Sequence, residues 1–367
     1  MTERFAYADD LGPEQLIELT DPHSGLRAIV VVDNTAAGPA IGGCRMAPDV
    51  TARECVRLAR AMTLKNAAAG LPHGGGKSVI AADPKMPAAE KERLIRAFAR
   101  AIRTTGSYIP GPDMGTDETA MAWIRDEGAR SVGLPRELGG IPLDETGATA
   151  HGLLAAARAA EAAGILSLKG ARVAIQGYGA VGRWCAHRFA AAGARIVAVS
   201  DSRGAALLPD GLDPARLDAV KAGGESVAAY PGAAAADSGA VITADCDILV
   251  PAARPDVIRK GNADAIRARL VLEGANIPAT EEAEQRLHAR GITVVPDFIA
   301  NAGGVICAAM ELRGLSESAA FETISSRVFA NTAEVLALAA QDGTLPRAAA
   351  LALARRRISR AMGFRRR

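Results

Sequence analysis

The chain has 367 residues, 43 Lys+Arg against 41 Asp+Glu, 49% hydrophobic and 4% aromatic residues. That length suits two domains, each able to bury a core, and the apolar fraction with little net charge excludes a disordered chain. No run of roughly 18 apolar residues is free of charges or breakers, which excludes a membrane-spanning helix.

The start (Met1, Thr2, Glu3, Arg4) lacks an apolar core, so no signal peptide is expected. Residues 26–33 read as a strand. Residues 51–69 read as a helix with Thr51 as N-cap and Glu54 at N3, a capping box, and with Val56, Leu58, Ala59 and Met62 at helical spacing. A strand over 77–82 follows a glycine run, and an amphipathic helix covers 87–104. Tyr108 and Ile109 end a strand, and Gly111-Pro112-Asp113 is its loop. Residues 139–147 turn to glycine, proline and polar residues, as a hinge would. Beyond them helix and strand alternate: helix 149–163, strand 172–176, helix 181–192, strand 195–200, then short apolar runs at 247–250, 270–272 and 292–295. This alternation predicts a parallel, doubly wound sheet. From about residue 316 the chain is helical, with a break at 343–346.

Five cysteines (Cys44, Cys55, Cys185, Cys246, Cys307) are widely spaced, with no C-x-x-C. The pattern predicts neither a disulfide framework nor a zinc site and suits a reducing cytosol. The five histidines show no metal-ligand spacing. Arg355, Arg356, Arg357, Arg360, Arg365, Arg366 and Arg367 crowd the C-terminus; with those seven set aside, the net charge of +2 becomes −5. The body therefore carries no nucleic-acid footprint, and the tail reads as a solvated helix end where cations suit the macrodipole.

Gly177-Tyr178-Gly179-Ala180-Val181-Gly182 is a G-x-G-x-x-G string that follows a predicted strand and opens a predicted helix. Asp201 closes the next strand, followed by Ser202 and Arg203. This is a dinucleotide-binding context: the first glycine makes the turn, the second admits the pyrophosphate, and the third allows close packing. Asp201 would accept from the adenine-ribose hydroxyls and favour NAD, whereas Arg203 could pair with a 2′-phosphate, so NADP stays possible. Gly74-Gly75-Gly76-Lys77-Ser78 is no P-loop, because Leu71 stands where the pattern needs glycine and the run leads into a strand, not a helix.

Lys65 ends a helix, Lys77 follows three glycines, and Asp113 lies in Gly111-Pro112-Asp113-Met114-Gly115. Two neighbouring lysines depress each other's pKa, and burial depresses it further, so one becomes a candidate general base. Asp113 could then shuttle protons. Spacing alone equally allows three solvated loop charges.

In order along the chain, Gly42-Gly43-Cys44-Arg45-Met46, Met62-Thr63-Leu64-Lys65-Asn66, Leu71-Pro72-His73-Gly74-Gly75-Gly76-Lys77 and Gly111-Pro112-Asp113-Met114-Gly115-Thr116 resemble the amino-acid dehydrogenase family of glutamate, leucine, phenylalanine and valine dehydrogenases. The glycine string, Glu273-Gly274-Ala275-Asn276 and Pro296-Asp297-Phe298-Ile299-Ala300-Asn301-Ala302-Gly303-Gly304 continue the likeness, which covers about 25–312. It implies an α/β fold. An N-terminal catalytic and oligomerisation domain, residues 1–143, would be joined by returning C-terminal helices, about 335–367. A Rossmann doubly wound domain would fill 144–334, with a cleft between the two.

The resemblance also implies roles. Lys65 matches the lysine on the substrate α-carboxylate, beside Gly42 and Gly43. Lys77 matches the catalytic lysine that activates water, and Asp113 the aspartate that moves protons on the amine. Thr149 and Asn276 match positions at the nicotinamide and its ribose, with Asn276 also near substrate, and Asn301 matches an asparagine at the cleft mouth.

Glutamate-specific members carry a lysine where this chain has Ile41 and a serine where it has Ala308. A buried carboxylate without partners is costly, so an apolar pocket is expected. The resulting expectation is reversible NAD(P)-dependent oxidative deamination of a leucine-, valine- or phenylalanine-type amino acid by a cytoplasmic homo-oligomer, with no metal, nucleic acid or membrane involved. Residues 111–123 and 139–152 look closer to the glutamate members, so glutamate with an atypical pocket is the alternative. A dinucleotide-binding sensor without turnover is the alternative of another class.

Overall fold

A computed structural model describes residues 7–365, apart from the side chain of Asp144. The readings made on residues 1–4, Arg366 and Arg367 lie outside the described residues. The described residues form two compact units: those of Met1–Pro142, Val305–Ala320 and Leu353–Arg367, and those of Leu143–Gly304 and Phe321–Ala352.

The first unit is built on strands β1 (Gln15–Asp21), β2 (Leu26–Asn34), β3 (Ala40–Ala47), β4 (Gly74–Ala81) and β5 (Tyr108–Pro112), in the spatial order β1-β2-β4-β3-β5. β2 runs antiparallel to β1 and β4, whereas β3 is parallel to both β4 and β5. Successive residues of a strand face opposite ways, and β2 uses both faces. Val30 and Val32 join Phe98 and Ile95 of the helix Ala88–Ile102 and Met121 of the helix Glu118–Asp126. Val31 packs instead with Cys55, Val56 and Ala59 of the helix Ala52–Ala68. The sheet is thus covered on both sides, as its mixed, mainly apolar strands require.

The helix Ala52–Ala68 starts as its sequence predicts, Thr51 Oγ1 accepting from Glu54 N at 3.1 Å. The other half of the capping box gives way: the Glu54 carboxylate takes the Arg45 guanidinium. At the far end Arg357 donates to the carbonyls of Ala67 and Ala68, at 3.3 and 2.6 Å. One arginine of the basic tail therefore completes another helix's C-terminus.

The second unit is built on β6 (Arg172–Gln176), β7 (Arg195–Ser200), β8 (Ala205–Leu207), β9 (Ala234–Ala236), β10 (Ile248–Pro251), β11 (Leu270–Leu272) and β12 (Thr293–Val295), ordered β12-β11-β10-β6-β7-β8-β9. Five strands are parallel, as expected. Absent from the expected elements are β8 and β9, which extend one edge antiparallel. The chain moves from β6 to β7 on one side and later to β10 on the other. The carboxyl end of β6 is therefore the switch point at which open α/β sheets bind ligands. Cys185 and Phe189 of the helix Ala180–Ala191 are fully buried. All five cysteines are free and buried, and among the described residues no helix is long and apolar enough to cross a membrane.

Candidate active site

Lys77 lies on β4, 5% exposed, and its ammonium contacts the Asp113 carboxylate just past β5. β4 begins at Gly74, three residues before the expected start, because the glycine run is itself sheet. A Cβ on Gly75 would stand 2.0 Å from Thr63 N, and one on Gly76 would stand 2.8 Å from the Tyr108 ring. These glycines let a helix and an aromatic ring close on the strand, rather than opening a path to the ammonium. Gly43 does serve the pair: a Cβ there would stand 2.6 Å from Asp113 Oδ2 and 2.9 Å from Lys77 Nζ.

Burial first, then the Arg45 guanidinium, pull Lys77 down to about 8; Lys65 adds to the pull. The neighbouring Cys44 and Cys55 side chains oppose it. A lysine near 8 is neutral in about one molecule in ten at pH 7, enough to act as a base. Asp113 is held from several sides. Arg45 Nη2 lies 3.5 Å from Oδ1, Met114 N donates to Oδ1 at 2.6 Å, and Asp113 N donates to Thr116 Oγ1 at 3.0 Å. Thr116 in turn donates to Cys44 O on β3 at 2.7 Å. The Tyr108 hydroxyl donates to the Gly42 and Gly43 carbonyls at 3.1 and 3.2 Å, fixing the strand beside the pair. Arg45, Glu54 and Thr116 were not singled out from sequence as site residues. Their only signal was a place inside motifs already quoted or a cap.

Ile41 and Ala308 lie 267 positions apart in sequence, yet the structure brings them together. Both are buried, in one apolar cluster with Ile109 and Val132 against Leu312.

In the second unit the glycine string sits at the carboxyl end of β6. Gly177 has φ +97°, the left-handed backbone that glycine tolerates. A Cβ on Gly182 would stand 1.8 Å from Gly177 O, whereas one on Gly179 would meet open space. Gly177, Gly179, Asp201 and Ser202 line one cavity of about 520 Å³, within the size range of small-molecule sites. Ala180 and Val181 open the helix behind it. The turn and its bare second glycine fit a dinucleotide pyrophosphate.

Asp201 departs from expectation. One carboxylate oxygen accepts from Arg203 N at 2.9 Å and Ser226 Oγ at 2.8 Å. The other accepts from Lys221 Nζ at 2.8 Å and Val227 N at 3.1 Å. These donors fill the acceptor positions that ribose hydroxyls were expected to use. Burial alone would raise its pKa, but the Lys221 and backbone hydrogen bonds outweigh that and hold it below the carboxylate range. The Arg203 guanidinium donates to Gly224 O.

Asn301 is buried and donates from Nδ2 to Asn276 Oδ1 at 3.2 Å and to Ala275 O at 3.3 Å. Thr149, half-buried, lies in the first turn of the helix Ala148–Ala162, its Oγ1 3.5 Å from where a Cβ on Gly304 would stand. Among the described residues no group of His, Cys, Asp and Glu is placed to hold a metal ion.

A switch-point glycine turn on a parallel sheet defines the second unit as a Rossmann-type dinucleotide fold. The sequence belongs to the glutamate/leucine/phenylalanine/valine dehydrogenase family, matched over residues 139–366, with that family's dimerisation domain over 13–130. The NADP(+)-dependent glutamate dehydrogenase of Pyrobaculum calidifontis is 42% identical over 299 residues, 77% of this chain and 71% of that one. The structure of the hetero-hexameric glutamate dehydrogenase of Thermus thermophilus, in its Leu-bound form, is similar with a TM-score of 0.83 at 34% identity, covering 95% and 89%. L-tryptophan dehydrogenase of Nostoc punctiforme gives 0.77 at 26% identity, covering 96% and 98%. Relatives named for glutamate thus stand against the expectation of a leucine-type member.

Proposed function

We propose that this chain catalyses the reversible oxidative deamination of an L-amino acid: amino acid, water and NAD(P)+ give 2-oxo acid, ammonium, NAD(P)H and a proton. The observation that carries the proposal is the buried Lys77–Asp113 contact, kept open by Gly43. Lys65 pairs with the α-carboxylate. The bound nicotinamide supplies the hydride acceptor for Cα. Neutral Lys77 takes the proton of the water that attacks the resulting imine carbon and steadies the developing oxyanion once protonated. Asp113 carries a proton to the leaving nitrogen. Thr149, Asn276 and Asn301 orient the dinucleotide from the second unit. The Asp201 carboxylate is compensated by Lys221, so a 2′-phosphate meets no bare negative charge there, and both NAD and NADP are expected to bind.

Two readings of the side chain are supported by different observations. Ile41 and Ala308 in one apolar cluster favour an aliphatic or aromatic substrate. The likeness to enzymes named glutamate dehydrogenase favours glutamate, and across the comparisons it is the better supported. A panel of L-amino acids with NAD and NADP, followed by dinucleotide absorbance, separates them by kcat/KM. Dinucleotide binding without turnover of any amino acid would refute both in favour of a sensor. A homo-oligomer is proposed with the enzyme, supported by the match to a dimerisation domain; a cytoplasmic location is proposed with it, supported by five widely spaced cysteines without a C-x-x-C.

A further inference from the structure

Ile277 follows Asn276 and has φ +49°, although it is β-branched. Left-handed backbone is unfavourable for such a residue, whose Cβ crowds the following carbonyl. Its side chain is 55% exposed, so little burial offsets that cost. The strain is held by its peptide groups. Ile277 N donates to Asp297 Oδ2 at 3.0 Å, and Ile277 O accepts from Asp256 N at 2.9 Å. Asp256 is itself left-handed, at φ +52°, and lines the cavity of Gly177 and Gly179.

Asp297 is in turn held by Arg347, its one cation among the described residues. Arg347 donates to Asp297 Oδ1 at 3.0 Å, to Glu273 Oε2 at 2.6 Å and to Glu284 at 2.7 Å. Glu273, 0% exposed, also accepts from Asp297 N at 2.8 Å, and its other oxygen is buried with no partner. Burial pushes Glu273 well above the carboxylate range against the pull of Arg347. Three buried carboxyls thus depend on one guanidinium, and breaking a buried pair from one side is expensive. The hydrogen bonds run without a gap from Arg347 through Asp297 and Ile277 to Asp256 at the cavity wall.

We infer that Arg347, which belongs to none of the dinucleotide motifs, is a positioning residue for dinucleotide binding: through Asp297 it holds Ile277 in its left-handed turn and so sets Asn276 and the Asp256 wall. This rests on the dinucleotide reading above. Strain held in this way at a binding site is a recognised route to pre-organisation.

The test is a set of full-length variants titrated with NADH and NADPH by fluorescence, with thermal midpoints recorded in parallel. Arg347→Met is expected to weaken dinucleotide Kd about tenfold, equivalent to about 1.4 kcal/mol. Ile277→Gly alone should stay within about twofold of the parent, because glycine takes the turn without strain. The double variant Arg347→Met/Ile277→Gly should regain the parent Kd while its midpoint stays low. If Arg347→Met does not fold, Asp297→Ala with and without Ile277→Gly makes the same comparison. An unchanged Kd in Arg347→Met or Asp297→Ala, or a loss that Ile277→Gly does not restore, overturns the inference. A parent protein that binds neither dinucleotide overturns instead the reading on which it rests.

Discussion

Gly43→Ala probes the Lys77–Asp113 pair with one added carbon. The new Cβ would lie 2.7 Å from Asp113 Cβ, 2.6 Å from Asp113 Oδ2 and 2.9 Å from Lys77 Nζ. Ordinary contact begins near 3.4 Å, so the Asp113 side chain must retreat by roughly 0.7 Å. The φ of residue 43 lies outside the left-handed range, so the backbone accepts alanine. The fold should survive and the pair should shift. Misplacement on the scale of 1 Å costs on the order of 10²-fold in rate, so kcat/KM on the best amino acid should fall by about that factor; Asp113 Cβ moves only with its own backbone, so the thermal midpoint should also fall, though less than in the control below. Gly42→Ala is the control. Its Cβ would stand 1.7 Å from Gly76 O, a backbone atom that cannot step aside, so the midpoint should fall sharply. If Gly43→Ala keeps kcat/KM within about threefold of the parent, the open space at residue 43 has no part in the chemistry.

Lys77→Met should lower kcat by on the order of 10²–10⁴-fold; turnover near the parent rate would remove Lys77 as the base. In the parent, kcat/KM should rise with pH through about 8, because the neutral amine is the active form and burial has lowered Lys77 to that value. Arg45→Met removes a cation that lowers Lys77, so the rising limb should move to higher pH; a limb that stays in place would show that Lys77 does not set it. Ile41→Lys puts a cation into the apolar cluster with Ala308. It should raise kcat/KM for glutamate relative to leucine, and an unaltered ratio in a folded variant would show that residue 41 does not face substrate.

Legibility in the sequence followed how local the determining physics is. The Thr51 cap and the Gly177 turn are set by residues a few positions apart, and both stand where the motifs put them. β3 went unread because Gly42-Gly43 resembles a loop, yet it pairs on both sides in the sheet. β8 and β9 are alanine-rich triplets whose propensity favours helix; only pairing with β7 and with each other makes them strands. Lys77 and Asp113 were legible as motif members, but Arg45 as the cation that tunes Lys77 was not, since charge acts through space. Arg347 with Glu273, Glu284 and Asp297 was invisible for the same reason: the group assembles only once β11, β12 and two helices are in place.

The five free thiols make the protein its own unfolding reporter. Burial blocks reagent and also raises each thiol, to about 11 for Cys44 and about 12 for the other four, so thiolate is scarce in the native state. Cys44, Cys55 and Cys307 belong to the first unit, Cys185 and Cys246 to the second. Pulse alkylation followed by peptide mass analysis would time each unit's opening separately, with no engineered label. It would thereby show whether the two units unfold as one cooperative body or in sequence.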